Sequence, residues 1–138
     1  MRRLFVYGTL RHAPLLEALL GRDVEAVPAT LAGHRAACMD GRVYPGLIRD
    51  RRGSAVGSLV DVDDGDLDVL DRFEGGEYTR VAVTAATEDG DTEAETYLLT
   101  GPSQELVTAE TWSLGDFVAR AASAWVQRAD PGTHHPTT

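Results

Sequence analysis

The sequence predicts an α+β domain, and three observations carry that reading. Strand-like segments fill most of the first hundred residues. Two of them, over 78–87 and 92–99, face each other across Glu88-Asp89-Gly90-Asp91 as a hairpin. Apolar residues at helical spacing then dominate the last third. Strands followed by helices, rather than strict alternation, is the α+β pattern.

Leu4-Phe5-Val6-Tyr7 is apolar without alternation, as in a strand buried on both faces. Gly8 ends it, where glycine permits a sharp turn or a close backbone approach. If the amides of Gly8, Thr9 and Leu10 turn inward, they form a concave donor site for a carboxylate or a developing oxyanion. The plainer alternative is a buried strand that ends in a glycine turn.

Residues 14–20 read as a short helix, with Pro14 in the first turn and Gly21 as the stop. Residues 24–31 read as a strand that Pro28 places at an edge or a bulge. A separate strand over 34–39 ends at Asp40-Gly41. Tyr44 is held extended by Pro45, and Pro45-Gly46 signals a type II turn. Residues 49–53 read as a polar turn and 55–62 as a strand, with Gly57 marking a close approach. Asp63-Asp64-Gly65-Asp66 opens a helix with acids at its positive end. Leu67, Leu70 and Phe73 form its apolar stripe, and Gly75-Gly76 ends it. From Leu106 the chain reads as helical. Trp112, Phe117, Val118, Ala121, Trp125 and Val126 are spaced toward a core, with a break or cap at Gly115-Asp116. One domain over 1–129 and a flexible tail over 130–138 are expected.

Composition narrows the function classes. The hydrophobic fraction of 43% and charged fraction of 25% suit a soluble globular chain. Net charge is -9, and all 13 basic residues are scattered arginines, so no nucleic-acid partner is expected. Absence of lysine beside abundant Arg, Ala, Gly and Asp fits a high-GC bacterial genome. Cys38 stands alone, which rules out an intrachain disulfide. No apolar run reaches membrane-helix length, and no signal-like segment precedes the first strand, so a cytoplasmic protein without a membrane partner is expected. Oligomeric state is not legible.

Glu74 is the residue that breaks a local rule. A carboxylate at a helix C-terminus faces the negative end of the macrodipole. Here it stands beside Phe73 and before two glycines that cannot cover it. Such breaks mark functional sites, and in an apolar pocket its pKa would rise to suit a general base. The alternative is an exposed loop glutamate. Other candidates are weaker. Cys38 suits a small core residue, and no histidine is placed with it. His12, His34, His134 and His135 show no metal-site spacing, so no metal or cofactor is expected. The acidic run from Asp61 lacks the closing glutamate of a calcium loop, because Arg72 stands at that position.

Three stretches in order complete the pattern. Phe5-Val6-Tyr7-Gly8-Thr9-Leu10-Arg11, then Tyr44-Pro45-Gly46-Leu47, then Leu70-Asp71-Arg72-Phe73-Glu74-Gly75 with Tyr78-Thr79-Arg80 resemble the gamma-glutamylcyclotransferase-like family. The likeness is greatest to its γ-glutamylamine cyclotransferase branch and small bacterial relatives. It extends more loosely to Trp112-Ser113-Leu114-Gly115-Asp116. The resemblance implies a small mixed β-barrel with flanking helices. It implies a small-molecule γ-glutamyl substrate, held by the loop Tyr7, Gly8, Thr9 and Leu10, with Glu74 catalytic and Tyr44 and Tyr78 positioning Glu74 or lining the pocket. Arg80 is expected to be structural, paired with a carboxylate. The implied reaction is cyclisation of a γ-glutamyl amide to 5-oxoproline and a free amine. The leaving amine is expected near residues 44–48 and the C-terminal segment, and removal of a γ-glutamyl group from a metabolite is one possible role. Two alternatives stay open: a noncatalytic small-acid-binding member of the fold, and γ-glutamyl transfer to another amine.

Overall fold

The computed structural model describes residues 1–129; the expected tail over 130–138, with His134 and His135, lies outside the described residues. Six strands and four helices follow in the order β1 (Arg2–Val6), α1 (Ala13–Leu20), β2 (Ala26–Met39), β3 (Gly46–Val62), α2 (Asp64–Glu74), β4 (Tyr78–Thr87), β5 (Gly90–Leu99), β6 (Val107–Thr111), α3 (Leu114–Arg120) and α4 (Ala122–Ala129). Short 3-10 turns occupy Thr9–Arg11, Gly75–Glu77 and Gly101–Leu106.

The sheet runs β3-β1-β5-β4-β2-β6, and β2 also pairs with β3. That extra pairing closes five strands into a ring, with β6 appended to the far half of β2. The barrel is mixed because β1 and β5 run parallel while the other ladders are antiparallel. Closure removes sheet edges that would otherwise remain unpaired.

The unbroken apolarity of β1 has a direct cause. Phe5, with Tyr7 beyond the strand end, packs inside the ring with Leu31, Leu47, Leu59 and Leu98. Leu4 and Val6 face outward against Leu16 of α1 and Leu67 and Leu70 of α2. A third cluster joins α1 to the C-terminal helices through Leu15, Phe117 and Ala122. Gly57 is the close approach that the sequence signals. A Cβ there would collide with the Val6 carbonyl and the Phe5 ring.

Helix α2 starts in a reciprocal capping box. The Asp66 amide donates to the Asp63 carboxylate (2.7 Å), and the Asp63 amide donates to Asp66 (3.0 Å). Arg80 on β4 clamps the other end of α2. It grips Asp71 with two bonds of 3.0 and 3.1 Å and also pairs with Glu95. The Tyr97 hydroxyl donates to Asp71 as well (2.7 Å). Arg80 is therefore the structural residue expected of it.

Four expectations need correction. Pro45-Gly46 forms no type II turn, because Gly46 lacks the positive φ such a turn needs and instead opens β3. The stretches over 24–31 and 34–39 form one strand, β2, bent at Gly33 (φ 76°), where the register shifts. Pro28 lies inside the β2–β3 ladder, opposite Ser58. The polar segment 49–53 does not end a strand. It bulges between the pairs Ala32–Ser54 and His34–Arg49, held by the Arg52 amide on the Asp50 carboxylate, and β3 continues on both sides. A polar turn signal reads the same whether it ends a strand or bulges within one. Finally, the helical reading from Leu106 fails. Val107–Thr111 is a strand, rich in β-branched residues, that pairs with the C-terminal half of β2. The helices begin only after Ser113, whose hydroxyl accepts from the Asp116 amide.

Candidate active site

One cavity of about 620 Å³ opens where α2 ends beside the loop leaving β1. Its walls include Tyr7, Gly8, Thr9 and Leu10 on one side and Glu74 and Tyr78 on another. Tyr44 and Pro45 supply a third wall and Trp125 of α4 a fourth. All seven residues singled out from the sequence therefore converge, although they come from three distant stretches.

The loop is rigidly seated. Tyr7, Thr9 and Leu10 are buried. The Tyr7 hydroxyl donates to the Tyr97 carbonyl at 2.6 Å. The first bond of the 3-10 turn runs from the Arg11 amide to the Gly8 carbonyl (3.0 Å). The amides of Thr9 and Leu10 precede that bond and are left without a partner in the turn. Gly8 is required by close packing, because a Cβ would lie 2.7 Å from Cγ of Pro45.

Glu74 is the last residue of α2, and its carboxylate makes no hydrogen bond or ion pair with the described residues. Loss of hydration in the cavity pushes its pKa up to about 8. The Tyr7 phenol is raised well above its ordinary value, by burial first and then by the neighbouring Glu74 and Tyr78. Tyr78 shifts upward for the same first two reasons, burial and then Glu74.

Glu77 behaves in the opposite way. Its carboxylate accepts from Ser103 (2.5 Å), Tyr44 (2.6 Å) and Arg42 (3.0 Å), and these partners hold its pKa below the ordinary glutamate value. Tyr44 is pushed up to about 12, chiefly by burial and then by its bond to Glu77. The Tyr78 hydroxyl donates to the Pro45 carbonyl (2.5 Å). Neither tyrosine hydrogen-bonds Glu74; both line the cavity, with ring centroids 6.5 Å apart.

Glu77, Arg72 and Arg128 also line the cavity and are not singled out by sequence reasoning. Glu77 follows two glycines and has no periodic signal. Arg72 and Arg128 read as exposed helix charges. Among the described residues no group of His, Cys, Asp and Glu is placed to hold a metal ion, and no helix is long and apolar enough to cross a membrane.

The fold agrees with the comparisons with known proteins. The model of the family "Gamma-glutamyl cyclotransferase, AIG2-like" matches residues 4–114. The chain belongs to that family. Among curated relatives, AIG2-like protein A of Arabidopsis thaliana is 36% identical over 90 residues, covering 64% of this chain and 54% of the relative. AIG2-like protein D of the same plant is 35% identical over 132 residues, covering 95% and 72%. The chain spans about half the length of the first curated relatives it matches. The solution structure of an Arabidopsis thaliana protein superposes with a TM-score of 0.69 at 26% identity, over 92% of this chain and 87% of that one. A solved gamma-glutamyl cyclotransferase shares the fold, with a TM-score of 0.60 at 18% identity over 72% of this chain and 67% of its own.

Proposed function

We propose that the protein is a γ-glutamyl cyclotransferase, which converts a γ-glutamyl amide to 5-oxoproline and a free amine. The observation that carries this reading is Glu74, a carboxyl without a partner among the described residues, in a cavity shared with the loop Tyr7-Gly8-Thr9-Leu10. Family membership supports the same reaction class.

The substrate's own α-nitrogen is the nucleophile, so the protein needs to supply no covalent one. Its main task is to hold the folded-back conformer in which amine and γ-carbonyl meet. Ionised Glu74 takes a proton from the substrate's α-ammonium and frees the amine. The amine attacks the γ-carbonyl, and a C–N bond forms as the lactam closes. The ring nitrogen gives up its surplus proton as the tetrahedral intermediate breaks its bond to the leaving nitrogen; that nitrogen takes the proton held by Glu74, and the second proton passes through the freed carboxylate to leave the amine as its ammonium. The amides of Gly8, Thr9 and Leu10 are suited to the α-carboxylate or to the oxyanion. The Tyr44 and Tyr78 rings enclose the acyl group, and their hydroxyls are engaged elsewhere.

The test is to incubate the protein with a panel of γ-glutamyl amines and dipeptides and to detect 5-oxoproline by mass spectrometry. Glu74→Gln runs alongside. Product that disappears in the variant supports both reaction and base. A folded variant with near-wild-type turnover removes Glu74 from the mechanism. Binding of γ-glutamyl compounds without any product favours a noncatalytic binder of the same fold. Products in which another amine carries the glutamyl group favour transfer.

A further inference from the structure

The γ-glutamyl group is small and would fill only part of a 620 Å³ cavity, which is large enough for a drug-sized ligand. The remainder is bounded by residues without a role in the reaction above. Trp125 of α4 is the centre of that wall. Its ring packs edge-on against Phe73 (5.8 Å, 74°) and tilted against Tyr44 (5.9 Å). Arg128, one turn further along α4, places its guanidinium over the Trp125 ring at 5.8 Å. Arg72 lines the same cavity from α2.

These are the two arginines in the cavity wall, both exposed, and no carboxylate among the described residues lies within 4.0 Å of either. Asp68, one helical turn before Arg72, is not in ion-pair reach. Glu77 is already matched by Arg42, and Glu74 makes no ion pair with either arginine. In a chain of net charge -9, this mouth therefore carries two positive charges without counter-charge among the described residues, beside an aromatic wall. That pairing suits a planar ring next to an anionic group. Helix α4 also lies beyond the residues 4–114 that the family model matches, so Trp125 and Arg128 are not part of what the family match describes.

Resting on the cyclotransferase reading, we infer that Trp125, Arg128 and Arg72 form a leaving-group subsite selecting γ-glutamyl conjugates of an amine that carries both an aromatic ring and a carboxylate. The ring packs on Trp125 and Phe73, and the carboxylate meets Arg128 and Arg72.

Three conjugates separate the two elements: γ-glutamylphenylalanine, γ-glutamylphenethylamine without the carboxylate, and γ-glutamylglycine without the ring. Expected is a kcat/KM for the phenylalanine conjugate about 10- to 100-fold above each of the others. The ratio of phenylalanine to phenethylamine conjugate should fall at least about tenfold in Arg128→Met with Arg72→Met. Arg120→Met, an exposed arginine of α3 outside the cavity, should leave it unchanged. Calorimetric binding to Glu74→Gln provides a readout without turnover. Turnover with no carboxylate preference, or a preference the arginine pair does not alter, overturns the subsite and leaves the reaction standing. Arginine-dependent binding of the phenylalanine conjugate with no 5-oxoproline from any arm supports the subsite and removes the reaction. No binding and no product overturns both.

Discussion

Glu74 and Glu77 are separated by two glycines and line one cavity, yet their protonation is driven in opposite directions. Glu74 ends a helix, faces apolar walls and lacks any donor among the described residues, so burial keeps its proton on. Glu77 is the last residue of the 3-10 turn, where Tyr44, Ser103 and Arg42 all donate to it, so its charge is stabilised. The two environments fit two roles. A carboxyl that titrates near neutrality suits proton transfer, and a carboxylate fixed by three donors suits architecture. The Gly75-Gly76 hinge makes this possible. Gly75 adopts φ 75°, which breaks the helix and turns Glu77 toward β2–β3 and the Ser103 turn.

The largest expected effect tests that division. Glu74→Gln should lower kcat by about 10²- to 10⁴-fold while keeping the fold. Glu77→Gln should lower it by less than about tenfold, because it acts through Tyr44 and the loop that carries it. Steady-state release of 5-oxoproline measures both, and equal losses would break the comparison. Gly8→Ala comes next. Its Cβ would press into Pro45 and displace the loop, costing about 1–3 kcal/mol of stability. A misplaced cradle should also reduce kcat/KM by up to about 10²-fold. Thermal unfolding and kinetics on one preparation separate the two losses.

Stability against pH sharpens the contrast. Glu74 has a folded pKa of about 8 and an ordinary value of 4.5, so the native state binds the extra proton between them. Native stability should therefore fall as pH rises through that window, by up to about 5 kcal/mol in total. Glu74→Gln should flatten this slope in urea unfolding, and kcat/KM of the wild type should rise through about pH 8. Glu77 carries the opposite sign. Its folded pKa is lowered, so its contribution is present above the ordinary glutamate pKa and is lost as pH falls through the folded value. The smallest effect is Tyr44→Phe, which removes one donor to Glu77 and should cost about 0.5–1.5 kcal/mol. It should shift the acid limb of unfolding upward without moving the limb near pH 8.

The cavity-lining residues most legible in the chain were those whose local chemistry is unusual. A glycine after four apolar residues, a proline-glycine pair after Tyr44 and a glutamate at a helix end before two glycines each depart from what neighbours would favour. Glu77, Arg72 and Arg128 carry no such mark, because ordinary charged residues on helices and loops look alike before folding. The polar bulge over 49–53 and the β6 strand were misread for a related reason. Each depends on pairing with a distant partner, β2, that local propensity does not contain.

Sequence alone determined that this is an α+β chain with a doubly buried first strand, a capped acidic helix and a hairpin. Those features follow from spacing, capping and turn chemistry within a few residues. Only the tertiary structure decided that β2 bridges β3 and β4 to close the barrel. It also decided that Glu74 loses its water while Glu77 gains three donors, and that α4 brings Trp125 to the same cavity. Solvation and partnership depend on residues tens of positions away, so no local pattern encodes them.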